Sequence, residues 1–191
     1  WRLDRAEQER RRAEEIERLA RGARRVHPRY LSYLVGRLRE RLDAVLINEQ
    51  AFDPKYSNLG FGDYFGDPSA GHLGWALGAS VGYAMGSGRR ALVTLGDGSF
   101  MLNAPLSYYY LASAVGAGAL IVIYDNGGWL ETEEAVREVF PEGVAVRSGH
   151  FPGTTFKRYE IGATVRAFGG YYEMVEDPTS LEGALDRAAQ E

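Results

Sequence analysis

Two apolar runs that each stop at a Gly- and Asp-containing turn constrain this chain more than any other feature. Ala91 to Leu95 ends in Gly96-Asp97-Gly98, and Ala119 to Tyr124 ends in Asp125-Asn126-Gly127-Gly128. Runs this short, rich in Val, Ile and Leu and apolar at every position, read as strands buried on both faces, as in a parallel sheet. Between them Phe100, Leu106, Tyr110, Leu111 and Ala114 recur at helical spacing. The connection is therefore expected to be a crossover helix that lays this face on the sheet. A right-handed strand-helix-strand unit brings both turns to one sheet edge, where ligands of open parallel sheets bind.

The residue types at that edge suit a metal and an anion. Asp97 offers a carboxylate and Asn126 a carboxamide oxygen, hard ligands for Mg²⁺, which completes its octahedron with phosphate oxygens and water. The glycines let backbone groups approach a phosphate closely. Ser99 is expected to open the crossover helix, whose free N–H groups favour a diphosphate. Singly, Asp-Gly and Asn-Gly are ordinary turn dipeptides. Their pairing, each after a buried strand and both at one edge, is what a metal-diphosphate site needs.

The rest of the chain extends this α/β pattern. Residues 1–27 interleave Glu and Arg around a few apolar side chains, Leu3, Ile16 and Leu19, with Glu14–Arg18 and Glu17–Arg21 at pair spacing. This reads as a long polar helix lying solvated across a surface. After Pro28, Tyr30, Leu31, Leu34, Leu38 and Leu42 mark an amphipathic helix that feeds a first strand, Ala44 to Ile47. Asn48-Glu49-Gln50 ends that strand at the same edge as the two turns, in positions that solvent exposure alone would also explain. Residues 51–69 lack a period and read as a long loop, whose aromatics Phe52, Tyr56, Phe61, Tyr64 and Phe65 pack beneath it or meet another subunit. Pro68 to Gly82 reads as a small-residue helix packed on the sheet. Leu130 to Glu138 reads as a short acidic helix, 143–156 as irregular, 159–168 as a helix, 171–175 as a strand that closes the sheet, and 178–189 as a terminal helix. His150 reads as a loop residue.

Charge and composition remove several classes of function. A net charge of −4 leaves no basic excess for nucleic acid. With no cysteine, disulfides, thiolate catalysis and Cys-ligated zinc are excluded. No apolar run reaches membrane-spanning length and no secretory segment opens the chain, so a cytoplasmic protein is expected. A dinucleotide fold is disfavoured because no Gly-x-Gly-x-x-Gly turn follows the first strand.

Gly96-Asp97-Gly98, then 26 residues, then Asp125-Asn126 resembles the motif of thiamin-diphosphate-dependent enzymes, which begins Gly-Asp-Gly and ends in an Asn pair. The likeness is best with the acetolactate-synthase-like branch of the 2-oxo acid decarboxylase superfamily, in its C-terminal diphosphate-binding domain. It implies that Asp97, Asn126 and the carbonyl of Gly128 hold Mg²⁺ against the diphosphate. Asp125 departs from the family's first Asn, which is not itself a ligand. The resemblance further implies that Gln50 touches the diphosphate. Gly71-His72-Leu73 stands where the family's loop contacts the aminopyrimidine, with Leu73 wedged beneath the thiazolium. His72 is a candidate proton shuttle, and Trp129 and Leu130 are candidate walls of the substrate pocket. A helix such as 1–27 leads, in that family, out of a middle domain into the last one, so residues 28–191 are expected to form the diphosphate-binding domain. The activating Glu resides there on a separate pyrimidine-binding domain, usually from a neighbouring subunit. The chain is therefore expected to belong to a homo- or hetero-oligomer that acts on a small 2-oxo acid as a transferase or lyase, and to be inert alone. The alternatives are one subunit of a split decarboxylase of the sulfopyruvate or phosphonopyruvate type, or a non-catalytic scaffold subunit that keeps the fold.

Overall fold

A computed structural model describes residues 5–67, 71–157 and 159–191. The first helix, α1 (Arg5–Gly22), carries the pairs Glu7–Arg11 at 2.6 Å and Arg10–Glu14 at 3.9 Å along its exposed side. It is not wholly solvated, since Ile16 is 2% exposed and Glu15 reaches Arg29 of the next helix at 3.0 Å. Leu3 lies outside the described residues. In α2 (Pro28–Leu42) proline occupies the first turn, where its missing N–H costs nothing, and His27 accepts the Arg29 N–H. Its buried stripe, Leu31, Leu34, Val35 and Leu38, follows the helical period of the sequence.

Four parallel strands follow: β1 (Val45–Glu49), β2 (Tyr64–Phe65), β3 (Ala91–Gly96) and β4 (Leu120–Tyr124), in the order β2-β1-β3-β4. Alternate residues feed two cores. Val45, Ile47, Val93, Ile121 and Ile123 face α3 (Ala76–Ser87), α5 (Pro105–Val115) and α8 (Ile161–Ala167). Leu46, Leu92, Leu120 and Val122 face α2 and α9 (Leu181–Gln190). Burial on both sides explains why the strands read as unbroken apolar runs rather than alternating ones. The remaining helices, α4 (Asp97–Leu102), α6 (Leu130–Val139) and α7 (Val144–Ser148), lie in the connections after β3 and β4. No helix among the described residues is long and apolar enough to cross a membrane.

Several expectations are corrected. The crossover is two helices, not one. Asn103 ends α4, Ala104 takes a left-handed φ of 47°, and Pro105 restarts the chain. This break resets the helical phase, so Tyr108 and Ala112 face the sheet while Leu106, Tyr110, Leu111 and Ala114 are exposed. The small-residue helix begins at Ala76, where a buried carboxylate described below takes the N–H groups of Gly74, Trp75 and Ala76; positions 68–70 of that expected helix lie outside the described residues. The 51–69 loop contains a 3₁₀ turn, Pro54–Tyr56, and the edge strand β2, and its aromatics divide: Phe52 and Tyr56 are buried, Phe61 and Phe65 exposed. Residues 143–156 include α7, opened by Gly143 and closed at Gly149. Residues 171–175 carry no regular structure and pair with no strand among the described residues, so they do not close the sheet.

Candidate functional site

The carboxyl ends of β1, β3 and β4 open into one cleft, part of a cavity of about 1130 Å³. The strand register sets its floor. Gly96 of β3 lies beside Tyr124 of β4, so the turns that follow must meet. They do so through Asp97, whose Oδ2 accepts the Gly127 N–H at 2.9 Å while Oδ1 accepts the Gly98 N–H at 3.0 Å. Asp97 rather than Ser99 occupies the first position of α4, and Ser99 is buried one half-turn on. Asp125 and Asn126 each turn back on the chain, accepting the N–H of Gly127 and Gly128 at 3.1 Å.

Two glycines are required by close approach. A Cβ on Gly98 would run into the Trp129 ring, and one on Gly128 into the Thr154 carbonyl. Trp129 is thereby set against the start of α4, with its N–H on the Thr154 carbonyl at 2.7 Å and its ring edge-on to Phe156. Trp129 and Leu130 both line the cleft.

Asp97 is 3% exposed, and no salt bridge to it is found among the described residues. Burial pushes its pKa up; the Gly98 and Gly127 N–H groups pull it down, and the neighbouring Asp125 charge adds to the rise. Nearby, the Tyr159 hydroxyl lies 3.5 Å from the Asp97 carbonyl and is pushed up to about 12, chiefly by burial and then by the Asp97 and Asp125 charges. A buried carboxylate beside a second carboxylate calls for a cation. Asp97, Asn126 and Gly128 all line the cleft, and a carboxylate, a carboxamide oxygen and a backbone carbonyl are the kinds of hard oxygen that Mg²⁺ takes.

Gln50 stands at the cleft with a left-handed φ of 63°. Asn48 enforces that turn: its Oδ1 accepts the N–H groups of Ala51 and Phe52 and the Thr94 hydroxyl, and its Nδ2 donates to the Phe52 carbonyl and Tyr64 hydroxyl. Leu73 is half-buried and lines the cleft, whereas Gly71 and His72 are exposed and do not. Thus Gln50, Leu73, the Gly96–Ser99 turn and the Asn126–Trp129 segment come together, and His72 stays outside.

Two residues the sequence did not single out hold the cleft together. Glu49 is wholly buried, and its carboxylate accepts the N–H groups of Gly74, Trp75 and Ala76 at 2.7, 3.1 and 2.9 Å. It caps α3 from another element and pins the loop that carries Leu73. Asn103 completes the link. Its Nδ2 donates to Glu49 at 3.1 Å and to the Ser99 carbonyl at 2.7 Å, and its Oδ1 accepts the Leu77 N–H at 2.9 Å. The sequence signals were Glu49's place at the end of the first strand and Asn103's place before Ala-Pro, a helix stop.

A family model described as "Thiamine pyrophosphate enzyme, C-terminal TPP binding domain" matches residues 54–191. Among solved structures, the chain resembles a thiamine diphosphate-dependent 4-hydroxybenzoylformate decarboxylase from Rhodococcus jostii RHA1, at 21% identity and a TM-score of 0.68, over 88% of this chain and 31% of that one. It also resembles benzoylformate decarboxylase from Polynucleobacter necessarius, at 24% identity and a TM-score of 0.64, over 82% of this chain and 30% of that one. At these identities the likeness is one of fold. The chain spans less than a third of the length of either structure. A search of the curated proteins finds no match.

Proposed function

We propose, because the chain belongs to the family of the thiamine pyrophosphate enzyme C-terminal TPP-binding domain, that residues 28–191 hold the diphosphate of thiamin diphosphate through Mg²⁺ in an enzyme that decarboxylates a 2-oxo acid. The buried, unneutralised Asp97 at the meeting of two strand ends is the observation that carries this reading. Asp97, Asn126 and the Gly128 carbonyl would hold the metal. The N–H groups at the start of α4 and the Gln50 turn would face the diphosphate, which suits anions at a helix N-terminus. Leu73, pinned through Glu49, would press on the apolar middle of the cofactor, while Trp129 and Leu130 wall the side where substrate enters.

When bound, the cofactor supplies a nucleophilic carbon and an electron sink for decarboxylation. This chain's share is to neutralise the diphosphate, fix its position and keep water from the cleft floor. The fold shared with two decarboxylases supports lyase chemistry; carboligation, and with it a transferase activity, rests on the acetolactate-synthase-like resemblance of the motif. A pyrimidine-binding domain, from the same or a neighbouring subunit, would supply the activating Glu. Calorimetric titration of thiamin diphosphate into the chain with and without Mg²⁺ tests the reading. Heat of binding that requires Mg²⁺ is expected; binding indifferent to Mg²⁺, or none in its presence, overturns it.

A further inference from the structure

Beyond α7 the chain makes a turn that belongs to no strand or helix and yet is held from two sides. In Phe151-Pro152-Gly153-Thr154 the Thr154 N–H donates to the Phe151 carbonyl at 3.3 Å, and Gly153 has a φ of 79°. Proline at the second position and a left-handed glycine at the third are what a type II turn requires. The Thr154 hydroxyl reinforces the closure, lying 2.9 Å from the Phe151 carbonyl and 3.2 Å from a carboxylate oxygen of Glu133 on α6. Arg137, one helical turn further along α6, pairs with Glu133 at 3.6 Å and lies 4.4 Å over the Phe151 ring. Phe151 and Thr154 are both buried. Helix α6 therefore fixes the turn at both of its ends.

The residues that leave the turn meet the cleft at Gly128. The Trp129 N–H donates to the Thr154 carbonyl at 2.7 Å and the Phe156 N–H to the Gly127 carbonyl at 2.8 Å, so that Gly128 and Thr155 face each other in a single antiparallel bridge. The peptide between Gly128 and Trp129 is trans, as are all those in the structure. In a planar trans peptide the C=O points opposite to the N–H. With the N–H of Trp129 held by Thr154, the Gly128 carbonyl is aimed away from the 151–156 segment. The contact is close enough that a Cβ on Gly128 would run into the Thr154 carbonyl. The direction of the Gly128 oxygen is thus set from outside its own turn.

We infer that residues 151–156 are a brace that aims the Gly128 carbonyl, with Thr154 as its positioning residue, and that through this brace the cleft prefers Mg²⁺ to the larger Ca²⁺. The inference rests on the proposed reading of the Gly128 carbonyl as a metal ligand. Mg²⁺ demands near-ideal octahedral geometry at about 2.0–2.1 Å, whereas Ca²⁺ takes oxygens at about 2.3–2.6 Å in flexible arrangements. An oxygen fixed in direction serves the first ion; the second tolerates one that wanders.

Thr154→Val, Thr154→Ser and Gly128→Ala, compared with the unchanged chain, test it. Calorimetry follows thiamin diphosphate binding as Mg²⁺ or Ca²⁺ is raised, and the ratio of the two half-saturating metal concentrations measures the preference. Thr154→Val keeps the side chain's shape without its hydroxyl and should lose about tenfold of the preference for Mg²⁺, the low end of what the partners of metal ligands contribute. Thr154→Ser keeps the hydroxyl and should keep the preference. Gly128→Ala, which displaces the Thr154 carbonyl, should lose at least as much as Thr154→Val. A segment that only stabilised the fold would weaken binding with both metals alike and leave their ratio unchanged. That result, or an equal loss in Thr154→Ser and Thr154→Val, overturns the inference while the Mg²⁺ site stands. Binding to the unchanged chain that needs no metal overturns the site itself, and the brace with it.

Discussion

At the scale of single residues the site depends on two carboxylates held in opposite ways. Asp97 is buried with a like charge nearby, and its folded pKa is raised, so the folded chain without metal binds the proton more readily than the unfolded chain does. Stability then falls as pH rises from the ordinary carboxylate range through the raised pKa of Asp97. Asp97→Asn removes that slope. Urea unfolding of both proteins in chelator, across this window, should show the wild type losing stability with rising pH relative to the variant. The variant should also lose Mg²⁺-dependent thiamin diphosphate binding. Parallel pH curves for the two proteins would sink the assignment. Glu49 is the contrary case, a buried carboxylate satisfied by three backbone N–H groups and Asn103. Glu49→Ala strands these donors and should cost about 3 kcal/mol in urea unfolding. A loss near zero would mean water replaces the carboxylate. Asp97 was legible because a Gly-Asp-Gly turn after an apolar run says where a strand ends. Glu49 was not, since its partners lie 25 or more residues away and only the fold brings them near.

Among the elements, buried strands were plain and helix phase was not. β3 and β4 appear within a residue of their expected bounds because continuous apolar runs admit few other readings. The crossover misled because exposed Leu106, Tyr110 and Leu111 mimic a core-facing stripe, while the break at Ala104 turns Tyr108 and Ala112 inward instead. An alanine in left-handed backbone carries a Cβ clash of about 1–2 kcal/mol that glycine avoids. Glycine gives back part of that gain through its freer unfolded chain. Ala104→Gly should therefore stabilise the protein by about 0.5–1 kcal/mol, as thermal unfolding would register. Destabilisation instead would show that the turn relaxes out of the left-handed region. The expected strand at 171–175 failed for a different reason: the segment is neither helix nor turn, but it forms no ladder with another strand among the described residues.

For the whole molecule, an exposed apolar helix face and the cleft decide what the chain can do by itself. The chain spans 31% of a structural relative, and α5 exposes Leu106 and Tyr110 at 62% and 70%, apolar side chains that suit a contact with more protein. If the cleft holds the metal and faces the diphosphate as proposed, the chain alone should recognise a diphosphate far better than the organic part of the cofactor. In the presence of Mg²⁺, inorganic pyrophosphate should then compete with thiamin diphosphate at an affinity within about tenfold, a difference of no more than about 1.4 kcal/mol, while thiamin itself should not bind. The same preparation should not consume 2-oxo acids, because the groups that act on the aminopyrimidine would lie, as proposed, on a separate pyrimidine-binding domain. Thiamin diphosphate binding a thousandfold tighter than pyrophosphate would place most of the cofactor's contacts within this chain. Turnover by it alone would place the chemistry there too. If both limits hold, specificity for a 2-oxo acid resides largely outside this chain, and Trp129 and Leu130, which line the cleft, would contribute only one wall of the pocket.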